Sequence, residues 1–285
     1  MNVEYKLSGK SGNIFFVGLL LGPIFIALLA IIYAYIDVYN PLVYFTFIVF
    51  LGLLFGIVLI QKIVIKLSKC RSETSALIYG TIVGLFGVYI NWCTFLFVYF
   101  RYHELPIEFL DLMLDPVSVF DMANALSIDG YYSMFGSDIK GFFLWLIWII
   151  EALGIIGAGA VGGLIVLHEE IFCEDCNIWA EKKDVDLRLA IEDQVSAKTA
   201  IDSDVTKILE YPIYVGANSE HIQVNLHQCS KCQNTSTIDI DLITYEENDK
   251  GEIKEKSEDF SKVFLLNRTE FGKFIAKKTN LETLI

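Results

Sequence analysis

The chain has 285 residues, 54% of them hydrophobic and 14% aromatic, with 20% charged and a formal net charge of −13. Soluble proteins of this length are not so apolar, so composition excludes an ordinary globular protein and points to an integral membrane protein. The class read from the pattern below is an α-helical polytopic membrane protein of four spans with a C-terminal cytosolic α+β domain resembling a zinc ribbon.

Apolar runs predict spans at about 13–36, 41–65, 76–100 and 141–167, each at or above the roughly 20 residues that cross a bilayer as helix. The first is longer than the roughly 7–15 apolar residues of a signal peptide and ends on no small-x-small site, so it is expected to stay as a span. Lys and Arg mark cytoplasmic flanks. Lys6 and Lys10 precede the first span, and Lys62, Lys66, Lys69 and Arg71 follow the second. The loop 103–140 carries Glu104, Glu108, Asp111, Asp115, Asp121, Asp129 and Asp138 against Lys140 alone. Both termini are therefore expected in the cytoplasm, and residues 1–168 are expected to form the membrane domain. In the outer loop, Ile107, Leu110, Met113, Leu114, Val117, Phe120, Ala123 and Leu126 predict short interfacial helices broken at Pro116, with Tyr131, Tyr132 and Phe135 as an aromatic anchor.

Each span carries a small-xxx-small pair: Gly18/Gly22, Gly52/Gly56, Gly80/Gly84 and Gly159/Gly163. Such pairs let neighbouring helix backbones approach closely. The fourth span also places Glu151, Gly154, Ala158 and Gly162 on one helical face. Glu151 is ten residues into the span, about 15 Å along a helix, near mid-membrane. A carboxylate there costs roughly 3 kcal/mol against lipid, so it must face protein or water. Three readings stay open: a ring of Glu151 side chains around an axis shared by several copies, a hydrogen-bonded pair with Asn91 or Thr94 of the third span, and proton or ion coupling in a transporter.

Residues 169–285 form the second predicted domain. Its cysteines fall in two Cys-x-x-Cys pairs, Cys173/Cys176 and Cys229/Cys232. In a reducing cytosol such thiols hold metal rather than form disulfides, and four thiolates suit a closed structural Zn2+ site. Redox or iron chemistry and bare thiols are the competing readings. His221 and His227 lie near enough in sequence to replace a sulfur. The stretch 177–228 is far longer than the roughly 15–20 residues of a compact ribbon, so a subdomain is expected between the pairs. Spacing predicts a helix over 184–201, strands at 213–215, 222–226, 235–245 and near 262–266, turn-rich chain at 246–251, and a last helix over 269–278.

No phosphate loop, nucleophile elbow or metal-hydrolase helix appears, so no enzyme is expected. With 24 acidic against 14 basic residues from 168 onward, general duplex nucleic-acid binding is not expected either. Residues 262–278 reverse that sign. There Arg268, Lys273, Lys277 and Lys278 interleave with Phe271 and Phe274, a mixture that could hold a phosphorylated ligand or simply pack as an amphipathic helix.

Four inner-membrane helices, a glycine-rich last span and a directly attached pair of Cys-x-x-Cys knuckles resemble the membrane effectors of bacterial anti-phage systems, including the channel subunit of the Hailong system. The resemblance implies an oligomeric pore gated by a nucleotide-derived ligand at the cytosolic domain. The expected function is thus a homo-oligomeric inner-membrane channel gated by its zinc-stabilised domain. The alternative is a membrane-anchored scaffold whose zinc domain recruits a cytosolic partner.

Overall fold

The computed structural model describes residues 2–40, 43–134, 137–216, 219–247 and 252–282. They form two compact units, Gly9–Glu169 and the combination of Met1–Ser8 with Glu170–Ile285. The division corrects the expected boundary, because the first eight residues belong with the C-terminal part. Their strand β1 (Val3–Glu4) pairs antiparallel with a strand near residue 265.

Among the described residues, four helices are long and apolar enough to cross a membrane. They are α1 (Leu19–Tyr39), entered by a π-helical turn Ile14–Gly18, α2 (Val43–Ser68), α3 (Glu73–Tyr102) and, after the long loop, α6 (Phe142–Glu169). Each follows a predicted span and runs two or three residues beyond it at one end or both. Pro41, the expected start of the second, lies outside the described residues. The α3 start is set by Ser72, whose hydroxyl accepts from the Ser75 amide. The loop forms α4 (Phe109–Leu114), α5 (Pro116–Asp129) and a hairpin of β2 (Tyr132–Met134) and β3 (Ser137–Ile139). The break expected at Pro116 is real: proline occupies the first turn of α5, and Asp115 caps it by accepting from the amides of Val117 and Ser118. Of the expected aromatic anchor, Tyr131 and Tyr132 pack into the bundle, and Phe135 lies outside the described residues.

α1 and α6 each pack on both α2 and α3, closing the bundle in the order α1–α3–α6–α2. Glycine sets the tightest seam. The Gly80 and Gly159 backbones touch so closely that a Cβ at Gly159 would meet the Gly80 carbonyl oxygen at 2.5 Å. Gly18 and Gly22 instead receive the Tyr79 ring, whose hydroxyl donates to the Gly18 carbonyl at 3.1 Å. Outward faces stay apolar: Tyr44, Ile48, Leu51 and Phe55 of α2 are exposed.

In the second unit, the hairpin β4 (Phe172–Cys173) and β5 (Ile178–Trp179) leads into β6 (Glu181–Ala190). Then come α7 (Gln194–Ser203), a 3-10 turn Val205–Glu210, β7 (His221–Gln228), β8 (Ser236–Glu247), β9 (Ile253–Asp259), β10 (Phe264–Leu266) and α8 (Arg268–Glu282). The antiparallel sheet runs β1–β10–β8–β7–β6, with β9 also pairing β8. Ile222, Val224 and Leu226 of β7, Ile238, Ile240 and Leu242 of β8, and Phe271 and Phe274 of α8 build one core.

Two expectations change here. Residues 184–201 are not one helix: Val185, Leu187 and Leu189 alternate into the core as strand β6, and only from Gln194 does the chain coil. Residues 213–215 contribute a single bridge, Ile213 to Leu189, in place of a strand. The strands expected at 222–226, 235–245 and 262–266 and the last helix are present with shifted ends. Residues 248–251 of the expected turn lie outside the described residues.

Candidate metal centre and acidic cavity

Two turns bring the four cysteines together. Cys173 and Cys176 sit on the β4–β5 hairpin, and Cys229 and Cys232 sit on the turn from β7 to β8. Each Cys-x-x-Cys is followed by a residue in the left-handed region, Asn177 with φ 53° and Gln233 with φ 59°, which closes the knuckle and turns both sulfurs to one side. The four sulfurs lie within 4.8 Å of one another, and all four cysteines are free of disulfides.

This donor set fits a metal. Cys173 Sγ and Cys232 Sγ are 3.6 Å apart, close to the roughly 3.8 Å between two sulfurs that each sit 2.3 Å from a tetrahedral zinc. Outer donors already point at the sulfurs, as metal-bound thiolates require. The Thr235 hydroxyl donates to Cys173 Sγ at 3.1 Å and the Asn234 amide to Cys232 Sγ at 3.4 Å. The Asn234 and Thr235 amides hold the Cys232 thiol below its usual range, while the hydrogen bond with Cys232 raises that of Cys176. His221 and His227 take no part: the His221 ring stacks on Tyr214 at 4.0 Å, and His227 Nδ1 lies 3.5 Å from Asp239. A brace unseen in the sequence comes from Tyr5, whose hydroxyl accepts from the Phe172 amide at 2.8 Å, directly beside Cys173.

In the helical unit, Glu151 points inward among α1, α2 and α3. Asn91 Nδ2 donates to Glu151 Oε1 at 3.5 Å, the partner named from sequence, and Tyr33 lines the same cavity as Glu151. The other named partner, Thr94, turns its hydroxyl to the carbonyl of Ile90. A second carboxylate was missed. Asp37, 6% exposed on α1, accepts from the hydroxyls of Tyr131 at 3.2 Å and Tyr132 at 3.4 Å. Its signal was available, since Asp37 is four residues after Tyr33 and so shares its helical face. Beside Glu151 lies a cavity of about 250 Å³, lined by Tyr33, Thr46, Phe47, Phe50, Tyr132 and Glu151 among others.

The other residues expected on a shared axis pack within the chain. A Cβ at Gly154 would meet Phe50 at 2.8 Å, and one at Gly162 would meet Val58 at 3.2 Å, so both positions face α2. Ala158 is half-buried.

The expected ligand patch on the last helix does not assemble. Phe271 and Phe274 are buried in the domain core and offer no ring to a ligand. Lys277 Nζ donates to the carbonyls of Leu209 and Tyr211, and Lys278 Nζ to that of Asp184. Of this set, Arg268 and Lys273 are exposed. The amphipathic reading won because burying two phenyl rings outweighs anything that exposed stacking platforms gain without a ligand. No protein-family model, curated protein or solved structure matches the chain.

Proposed function

We propose that the chain is a bacterial inner-membrane protein that conducts cations as a homo-oligomer, with both termini in the cytoplasm and a zinc-held domain controlling the membrane block. The observation that carries this reading is the pair of carboxylates, Glu151 and Asp37, inside a bundle whose helices are of membrane length. Each costs roughly 3 kcal/mol or more in an apolar slab, and a bundle needing only a polar latch would be held as well by amides. Zinc is the metal that a closed set of four thiolates in a reducing compartment favours. It would be held by Cys173, Cys176, Cys229 and Cys232 and would supply rigidity, not chemistry. Control has a route through the chain, because α6 ends at Glu169 and the first knuckle begins at Cys173. The resemblance to anti-phage effectors adds the physiological outcome, loss of the membrane barrier on activation.

The test is current from metal-loaded protein in planar bilayers. Cation-selective current in wild type, with selectivity or conductance altered by Glu151→Gln and by Asp37→Asn, is expected. Wild-type currents from both variants would refute the role of the carboxylates. A silent wild type with no stable oligomer would instead favour the scaffold. That second reading has its own support, since Leu53, Ile57 and Ile155 fill the bundle interior below Glu151 with apolar side chains.

A further inference from the structure

The cavity beside Glu151 has a chemical character of its own. Its walls are aromatic, with Tyr33, Phe47, Phe50 and Tyr132, and its acid is Glu151. No lysine or arginine is among its described lining residues. Phe47 and Ile150, at its edge, are more than half exposed on the bundle surface, so the space opens sideways between α2 and α6.

From these features we propose that the cavity binds a compact organic cation, a quaternary or tertiary ammonium with short apolar arms. Ring faces attract such a cation most when water is excluded, and Glu151 neutralises it. Its apolar arms match the rest of the lining. A bare metal ion would need roughly six oxygen ligands, whereas the lining side chains offer only the hydroxyls of Tyr33, Thr46 and Tyr132 beside the Glu151 carboxylate. A lipid tail would bring the Glu151 carboxylate no counter-charge, since Asn91 gives it only a neutral amide donor. At about 250 Å³ the space is just under the roughly 300–1,000 Å³ of drug-sized sites, so the cation must be small. Binding is independent of whether the protein conducts.

The probe is radiolabelled tetraethylammonium, measured by equilibrium dialysis against the metal-loaded protein in lipid nanodiscs, with empty nanodiscs subtracted. Saturable binding at one site per chain is expected. Choline should compete, and its uncharged isostere 3,3-dimethylbutan-1-ol should compete at least about tenfold less well, about 1.4 kcal/mol. Glu151→Gln should weaken binding by a similar factor, and Ile147→Trp, which fills the cavity from its rim and leaves the carboxylate in place, should abolish it. The isostere comparison uses wild-type protein, so it stands even where a variant fails to fold. Non-saturable uptake, equal competition by the alcohol, or unchanged affinity in a folded Glu151→Gln would overturn the proposal. Equal competition would mark the cavity as a slot for lipid tails.

Discussion

Gly159→Ala and Gly157→Ala add the same methyl group two residues apart on α6, yet the bundle predicts opposite outcomes. At Gly159 the new Cβ would sit 2.5 Å from the Gly80 carbonyl oxygen and 3.2 Å from Gly84 Cα, all backbone that cannot rotate away. α3 and α6 must part, and overpacking of this kind costs about 1–3 kcal/mol. At Gly157 nothing lies within 4 Å, so the methyl enters open space and the change should be neutral or stabilising by up to about 1 kcal/mol through helix propensity. Unfolding of the purified protein in mixed micelles by added SDS, followed by circular dichroism, reads both. A Gly159→Ala protein as stable as wild type would show that the α3–α6 seam is not close-packed. A Gly157→Ala protein destabilised by as much as Gly159→Ala would show that this helix face meets a surface outside the chain.

Three further outcomes follow from the second unit. Tyr5→Phe removes the hydroxyl bonded to the Phe172 amide and should cost about 1 kcal/mol, with faster hydrogen exchange confined to the β4–β5 hairpin; unchanged exchange there would remove the brace from the account. The protein as purified should carry about one zinc per chain, and Cys229→Ser or a strong chelator should melt the domain while the long helices keep their circular dichroism. Metal-free protein with an unchanged domain melting point would refute a structural role. Asn225 Nδ2 donates to both Asp239 and Asp241 at 2.9 Å, so Asn225→Asp should destabilise the domain by about 2–3 kcal/mol at neutral pH. Burial already holds the Asp241 carboxyl above its usual range. A raised acid is disfavoured in its charged form, so the loss is present at neutral pH and should fall away as pH drops toward about 4 and the cluster protonates. A loss independent of pH would point to packing instead of charge.

How much of this was legible in the sequence depends on the length scale of each signal. The long helices were readable because some twenty apolar residues in a row admit few other structures, and the cysteines because Cys-x-x-Cys pairs carry their own geometry. Asn91 opposite Glu151 was readable from depth alone. Segment 184–201 was not: Leu187, Leu189, Ala190 and Ile191 fit a helical spacing, Leu187, Leu189 and Ile191 fit an alternating one as well, and the arbiter is β7 lying beside β6. β9 has every residue exposed, so no periodicity marks it. β1 is two residues long and takes its structure wholly from β10. Phe271 and Phe274 looked like platforms because one sequence cannot say whether a ring beside lysines faces inward. Asp37 escaped because it follows an apolar run, where a charge resembles the end of a span.

The pairing of Val3 and Glu4 with Leu265 and Phe264 has a consequence for biogenesis. An edge strand made before the first long helix must wait until about 260 further residues have been synthesised and four helices placed before its partner exists. Loop closure over such a distance comes late in folding. Until then, residues 3–5 and the hairpin beside Cys173 remain unmatched. β1 therefore joins its sheet only after β10 is made, and a fusion placed directly at Val3 would interfere with a domain more than 160 residues away in sequence.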